Sequence, residues 1–326
     1  MKCKQFAALG LCLALGLAGC GSTRQPLPSC SPEEDRKLTV YTSHKPNVSM
    51  PIIREFEERT GIWVNVVSGG TSEMLEQIRS EQDAPVADVM FGGGVESLTA
   101  YGDCFEPYLV SEELILTAED VCWTPFSYLP VVLIYHTKLV RPQELTGWAD
   151  LLRPDFRGRV AFADPAVSGS SFTAMVTALE AGLSIEELAS AVTVLDSSGD
   201  VLTAVSEGKA PVGITLEETA LKAIDAGMDI AIVYPREGTS CVPDGSALVK
   251  NAPHPENARA FLEFTVSHDV QSLLVSQEHR RSVRPDVADS LPALDELALV
   301  SYDFDWVCDH RESLLEQWQT EREAVQ

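Results

Sequence analysis

Residues 66–78 read VVSGGTSEMLEQI, and this stretch decides how the chain around it is read. An apolar run ends at Ser68-Gly69-Gly70-Thr71-Ser72; Met74, Leu75 and Ile78 then recur at helical spacing. Side chains three and four residues apart share one helix face. The junction is therefore a strand handing over to a helix. Its glycines let the backbone approach a neighbour closely, and its hydroxyls suit either an N-cap or contact with an anion. On these residues alone both readings stand.

Working outward, the alternation repeats. LTVYT (38–42) reads as a buried strand, and PIIREFEERTG (51–61) as a helix opened by Pro51 and closed by Gly61. IWVNVV (62–67) and VADVMFGGG (86–94) read as further strands. Strand–helix–strand–helix–strand predicts a parallel sheet with right-handed crossovers, whose ligands sit at the carboxyl ends of the strands. Those ends carry Ser43-His44, Ser68 to Ser72 and Gly92 to Gly94.

A second α/β run follows: LPVVLIYHT (129–137), RVAFADP (159–165), SGSSFTAMVTALEAG (168–182), APVGIT (210–215), LEETALKAIDAG (216–227) and DIAIVYP (229–235). Phe172, Met175, Val176 and Leu179 form one apolar helix face, so SGSS opens this helix as SGGTS opens the earlier one. EGTSCVPDGSALV (237–249) reads as turn-rich, and the remainder as helical, with an amphipathic tail around Arg311 to Glu323.

With 326 residues and 45% hydrophobic content, the chain can bury the cores of about two domains. A formal net charge of -25 argues against nucleic acid as a partner, yet permits a local anion site. Lys2 and Lys4 precede a short apolar stretch, Phe6 to Ala18, as in a targeting segment. It ends in LAGC (17–20), which resembles the lipobox of bacterial lipoproteins. That resemblance implies a signal peptide over 1–19, lipidation at Cys20, and a lipid anchor and tether over 20–37. It also implies export to the outer face of the bacterial cytoplasmic membrane, on the periplasmic side or cell surface.

Of eight cysteines, Cys3 and Cys12 leave with the signal. Sequence distance makes Cys104–Cys122 the first candidate disulfide, Cys241–Cys308 is the second, and Cys30 is left over; buried free thiols are the alternative. No CxxC and no Cys/His spacing for zinc is present, so no metal site is expected. Nor is an enzyme or a cofactor. There is no GxSxG, GxxxxGK[ST] or HExxH, and GGGVES lacks the last glycine of a dinucleotide fingerprint.

LTVYTSH, REFEERTGIWVNVV, the Gly-Ser-Thr junction, ADVMFGGG, PDGSALVKNAPHPENARAFLEFTVS and DVQSLLVSQ together resemble the solute-binding proteins of bacterial ABC importers, over about residues 38–285. The branch they resemble takes ferric iron, thiamine, 2-aminoethylphosphonate or sugar phosphates. The resemblance implies an α/β, two-lobed periplasmic-binding-protein-like (type II) fold with a ligand cleft between the lobes. Lobe 1 would take 38–128 plus 236–326 with the C-terminal helices, and lobe 2 would take 129–235. The crossings would fall near Ser127-Tyr128-Leu129 and Glu237-Gly238-Thr239.

Facing lobes would bring the two helix starts together. The expected ligand contacts are then Gly70, Thr71 and Ser72 on one side, and Ser168, Ser170 and Ser171 on the other, with Ser43, His44 and Gly93 from the strand ends. Ferric-binding relatives place adjacent tyrosines after a second-lobe strand. Here Glu217-Glu218 stand in that place, and the seven tyrosines include no adjacent pair. The expectation is therefore a small anionic, phosphate-bearing ligand, with Glu217 reading its hydroxyls or amine and iron as the alternative. The implied partners of an expected monomer are an ABC permease and ATPase. A receptor role for a two-component system needs the same cleft.

Overall fold

The computed structural model describes residues 32–115, 122–288 and 290–325; the expected signal peptide, Cys20, Cys30 and most of the tether lie outside them. Residues Glu33–Gln326 form one compact unit. The first third holds β1 (Lys37–Thr42), α1 (Pro46–Thr60), β2 (Trp63–Ser68), α2 (Thr71–Ser80), β3 (Val89–Gly94), α3 (Val95–Ala100) and β4 (Phe105–Glu106). β1 pairs in parallel with β2 and β3, as the βαβαβ reading requires. α1 begins earlier than Pro51. Pro46 sits in the first turn, where no N–H is needed, and Pro51 lies inside the helix. Gly61 closes it at φ 70°, its N–H donating to the Glu57 carbonyl at 2.8 Å.

The middle of the chain runs β5 (Thr124–His136), β6 (Val160–Ala163), α4 (Gly169–Glu180), α5 (Ile185–Ala191), β7 (Val192–Leu195), α6 (Ser198–Ser206), β8 (Val212–Leu216), α7 (Glu217–Asp225) and β9 (Ile230–Val233). β10 (Cys241–Val249), α8 (Pro255–Thr265), α9 (His268–Glu278) and α10 (Phe304–Val325) complete it. The stretch expected to be turn-rich is β10, a nine-residue strand. Its register shifts between Asp244 and Gly245 against β5, and between Asp244 and Ser246 against β3. Proline and glycine there mark a bulge in a strand, not a loop.

β5 passes from one apolar core into a second, and its alternate residues Val132 and Ile134 pack in a third cluster with Val201, Val205 and Ala220. Phe126 and Tyr128 belong to one with Phe56, Phe91 and Phe261; Val131 and Leu133 belong to another with Trp148, Phe162 and Phe172. Its first half pairs with β10, its second half with β8 and β9. Each fully buried large side chain removes apolar surface worth roughly 1.5–3 kcal/mol. α10, grouped by sequence with the first lobe, buries Val307, Leu314 and Trp318 in the second core. Trp318 meets Phe162 edge-on at 5.9 Å, and Asp164 accepts from Trp318 Nε1 at 3.2 Å and from Arg322 at 2.5 Å. Tyr302, just before α10, donates to Glu96 of α3 at 2.7 Å, so this C-terminal segment touches both sides.

Neither expected disulfide forms: Cys104, Cys122, Cys241 and Cys308 are all free. Each thiol has its own surroundings. Cys104 accepts from Gln82 Nε2 at 3.1 Å, and Cys308 donates to the Glu96 carbonyl at 3.4 Å. Burial pushes the Cys241 thiol up to about 12. Among the described residues no helix is long and apolar enough to cross a membrane.

Candidate ligand-binding site

A cavity of about 400 Å³ lies between the two cores. The end of β1 gives it Ser43 and His44, the start of α2 gives Gly70 to Glu73, and the β3–α3 turn gives Gly93, Gly94 and Glu96. From the far side come Gly169, Ser170, Phe172 and Thr173 of α4, while Asp244, Arg280 and Arg311 fill the remaining wall. Two glycines make this convergence feasible. Gly92 (φ 96°) and Gly93 (φ 118°) hold left-handed conformations that disfavour side chains. A Cβ on Gly92 would meet the His44 ring at 2.8 Å, and one on Gly93 would meet Thr71 Cγ2 at 3.0 Å.

The two helix starts differ. Gly70 has no side chain to cap α2; Glu73 reaches back to accept the Gly70 N–H at 3.2 Å. The N–H groups of Thr71, Ser72 and Glu73 have no acceptor among the described residues and stand at the positive end of the helix. At α4, Ser168 Oγ accepts the Ser171 N–H at 3.3 Å. Ser168 is thus the cap, Ser171 is buried, and neither lines the cavity; Gly169 and Ser170 do. Of the serines expected at this start, Ser170 alone reaches the space.

The floor is polar and enclosed. Burial pushes the His44 pKa down to about 4, so the imidazole is neutral near pH 7. Its Nε2 lies 3.7 Å from Asp244 and has no hydrogen-bond partner among the described residues. Arg280, also buried, pairs with Asp244 at 2.5 Å and lies 3.8 Å from Glu218. Glu96 accepts from Thr173 Oγ1 of α4 at 3.0 Å as well as from Tyr302, joining the two sides across the cavity.

Glu217 stands apart from all of this. Only 1% exposed, it receives Arg281 Nε at 2.7 Å and Nη2 at 2.8 Å, and the Tyr234 hydroxyl donates to it as well. It does not line the cavity, so its expected role as a ligand reader is corrected to that of a buried ion-pair partner. Sequence reading could not see this, because Arg281 lies 64 residues along the chain. It also missed Glu96, Asp244, Arg280 and Arg311. None carries a motif, and only the fold brings them to one space. Among the described residues, no group of three or more His, Cys, Asp or Glu is placed to hold a metal ion.

Two cores threaded by one strand, with a polar cavity between them, define a two-lobed binding protein of the periplasmic type II class. The family of bacterial extracellular solute-binding proteins matches residues 38–277, and the chain belongs to it. It is 26% identical to the iron uptake protein A1 of Synechocystis over 82% of this chain and 81% of that one. It is 24% identical to a putative 2-aminoethylphosphonate-binding periplasmic protein of Salmonella typhimurium, over 72% of this chain and 74% of that one. Among solved structures it superposes on the periplasmic binding protein AfuA of Actinobacillus pleuropneumoniae, with fructose-6-phosphate bound. The TM-score is 0.78 at 20% identity, over 88% of this chain and 98% of that one.

Proposed function

We propose that this protein captures a small phosphorylated or phosphonate solute in the inter-lobe cavity and delivers it to an ABC permease and its ATPase. One observation carries the reading: the uncapped start of α2 and the start of α4 open on the same cavity. Helix N-termini attract anions through free N–H groups and the helix dipole, and here Thr71, Ser72 and Ser170 add hydroxyls. Glu73, Glu96 and Asp244 line the same space and accept hydrogen bonds, which suits a ligand whose other end carries donors, either hydroxyls or an ammonium. The aminoethylphosphonate relative and the sugar phosphate held by AfuA both have that form.

On this reading lobe 1 is residues 38–128 with the return from 236, and lobe 2 is 129–235. Cys20 carries the lipid that keeps the monomer at the membrane. The iron uptake relative motivates the second reading. Ferric iron favours anionic oxygen ligands, and the missing tyrosine pair weighs against it. A sensing role uses the same cavity, and neighbouring genes for a two-component pair would favour it.

The test is calorimetry on the full-length protein with glucose 6-phosphate, fructose 6-phosphate, 2-aminoethylphosphonate, inorganic phosphate and ferric citrate. At least one organic phosphate or phosphonate should bind. Thr71→Ala combined with Ser170→Ala should weaken it by roughly tenfold or more at an unchanged melting temperature. Unchanged affinity in the double variant, or binding of ferric citrate alone, overturns the reading.

A further inference from the structure

We infer that Arg311, carried on α10, is the residue that selects the ligand's anionic group, and that this group is a phosphate monoester or phosphonate and not a carboxylate. The inference rests on the anion-capture reading above and adds to it a contact from outside the 38–277 stretch that matches the family.

The cavity has two guanidinium groups in opposite situations. Arg280 is neutralised by Asp244 and Glu218. Arg311 forms no ion pair and no hydrogen bond among the described residues, yet it lines the cavity. Its guanidinium carbon stands 4.1 Å from the centre of the Phe172 ring, and Phe172 is itself 1% exposed and fixed in the second core. A ring contact of this kind holds the charge in place while the N–H donors stay available. Phe172 lies two residues beyond Ser170, so one turn of α4 positions both the hydroxyl and the cation.

Charge decides how much depends on this residue. Glu73, Glu96 and Asp244 face the cavity against Arg280 and Arg311. Three carboxylates against two cations leave the lining at −1, and without Arg311 it falls to −2, which an anion must then overcome. Valence decides the ligand group. Donors come from three directions: the start of α2, the start of α4 and the guanidinium. A phosphate monoester or phosphonate has three terminal oxygens to meet them. A carboxylate has two, confined to one plane, and cannot present an oxygen to each of the three donor sets at once.

The experiment is calorimetry on the full-length protein with matched probes: glucose 6-phosphate against glucuronate, and 2-aminoethylphosphonate against β-alanine. The wild type should bind a phosphorus-bearing probe and bind its carboxylate partner at least tenfold more weakly. Arg311→Gln should weaken the phosphorus-bearing probe by roughly 10- to 100-fold, the range for a charge-assisted hydrogen bond. Arg311→Lys keeps the charge but loses the fork, and should weaken binding several-fold; it also serves if the glutamine variant does not fold. Wild-type affinity in either folded variant, or equal affinity for the two members of a pair, overturns the proposal. If Thr71→Ala with Ser170→Ala still weakens binding in that case, the anion reading survives without Arg311. If no phosphorus-bearing probe binds the wild type, both fall.

Discussion

At the start of α2, Gly70 has no side chain to cap the helix and Glu73 takes only the Gly70 N–H, whereas at Ser168 the start of α4 caps itself through the Ser171 N–H. In sequence the two junctions look alike, since each is a short run of glycine and hydroxyl residues before an apolar helix face. In space one leaves the N–H groups of Thr71, Ser72 and Glu73 open, and the other satisfies its Ser171 N–H internally. α7 is the extreme case: Glu217 stands at its start and is saturated by Arg281 and Tyr234. A polar residue at a helix start is therefore available to a ligand only when its neighbours have not already satisfied it.

The filled start at α7 should give the largest effect. Glu217→Ala leaves Arg281 buried without its carboxylate, and loss of one partner of a buried pair costs roughly 3–5 kcal/mol. Urea denaturation of the variant should show this loss, and ligand affinity measured on its folded fraction should match wild type. A stable variant with impaired binding would restore Glu217 to the ligand site and collapse the contrast with α2.

Next comes the floor, which separates cleanly from both cavity-facing starts because hydroxyls and backbone N–H groups do not titrate there. Burial holds the folded His44 pKa at about 4, below the ordinary 6.5. As pH falls, the unfolded chain takes up its proton first. The stability that neutral His44 contributes is complete above 6.5 and drains away towards pH 4, by up to about 3 kcal/mol. His44→Gln should flatten that part of the stability profile between pH 7 and 4.5. Parallel profiles for the two proteins would mean that the imidazole is not held neutral. The smallest effect belongs to the self-capped start. Ser168→Ala should cost about 1 kcal/mol of stability and weaken affinity less than Ser170→Ala does, because its oxygen caps the Ser171 N–H and reaches the cavity only through the Ser170 hydroxyl 3.2 Å away. A drop in affinity as large as that of Ser170→Ala would erase the distinction between cap and contact.

Much of the architecture was legible in the sequence. The βαβαβ opening, the Gly61 stop and the apolar face of α4 follow from periodicity and capping, which are local properties. β10 was not, because Pro243 and Gly245 signal a turn unless the flanking strands are known. The site divides the same way. Ser43, His44, Gly70, Thr71, Ser72, Gly93 and Ser170 sit at strand and helix ends, and topology alone sends them to the cavity. Ser168, Ser171 and Glu217 failed because their hydrogen-bond partners decide their role. Glu96, Asp244, Arg280 and Arg311 went unseen because burial and long-range pairing, not spacing, bring them there.

β5 belongs to both cores as one thirteen-residue strand, its ladder with β10 reaching Pro130 and its ladder with β8 starting at Val131. A joint made this way behaves as a torsion spring, not as a slack cord. Relative movement of the lobes changes the twist of an ordered ribbon and leaves few backbone angles to be frozen. On the proposed reading, closing on a solute would forfeit little chain entropy, since fixing one loose residue costs about 1–2 kcal/mol. More of the contact energy made in the cavity is left over as affinity.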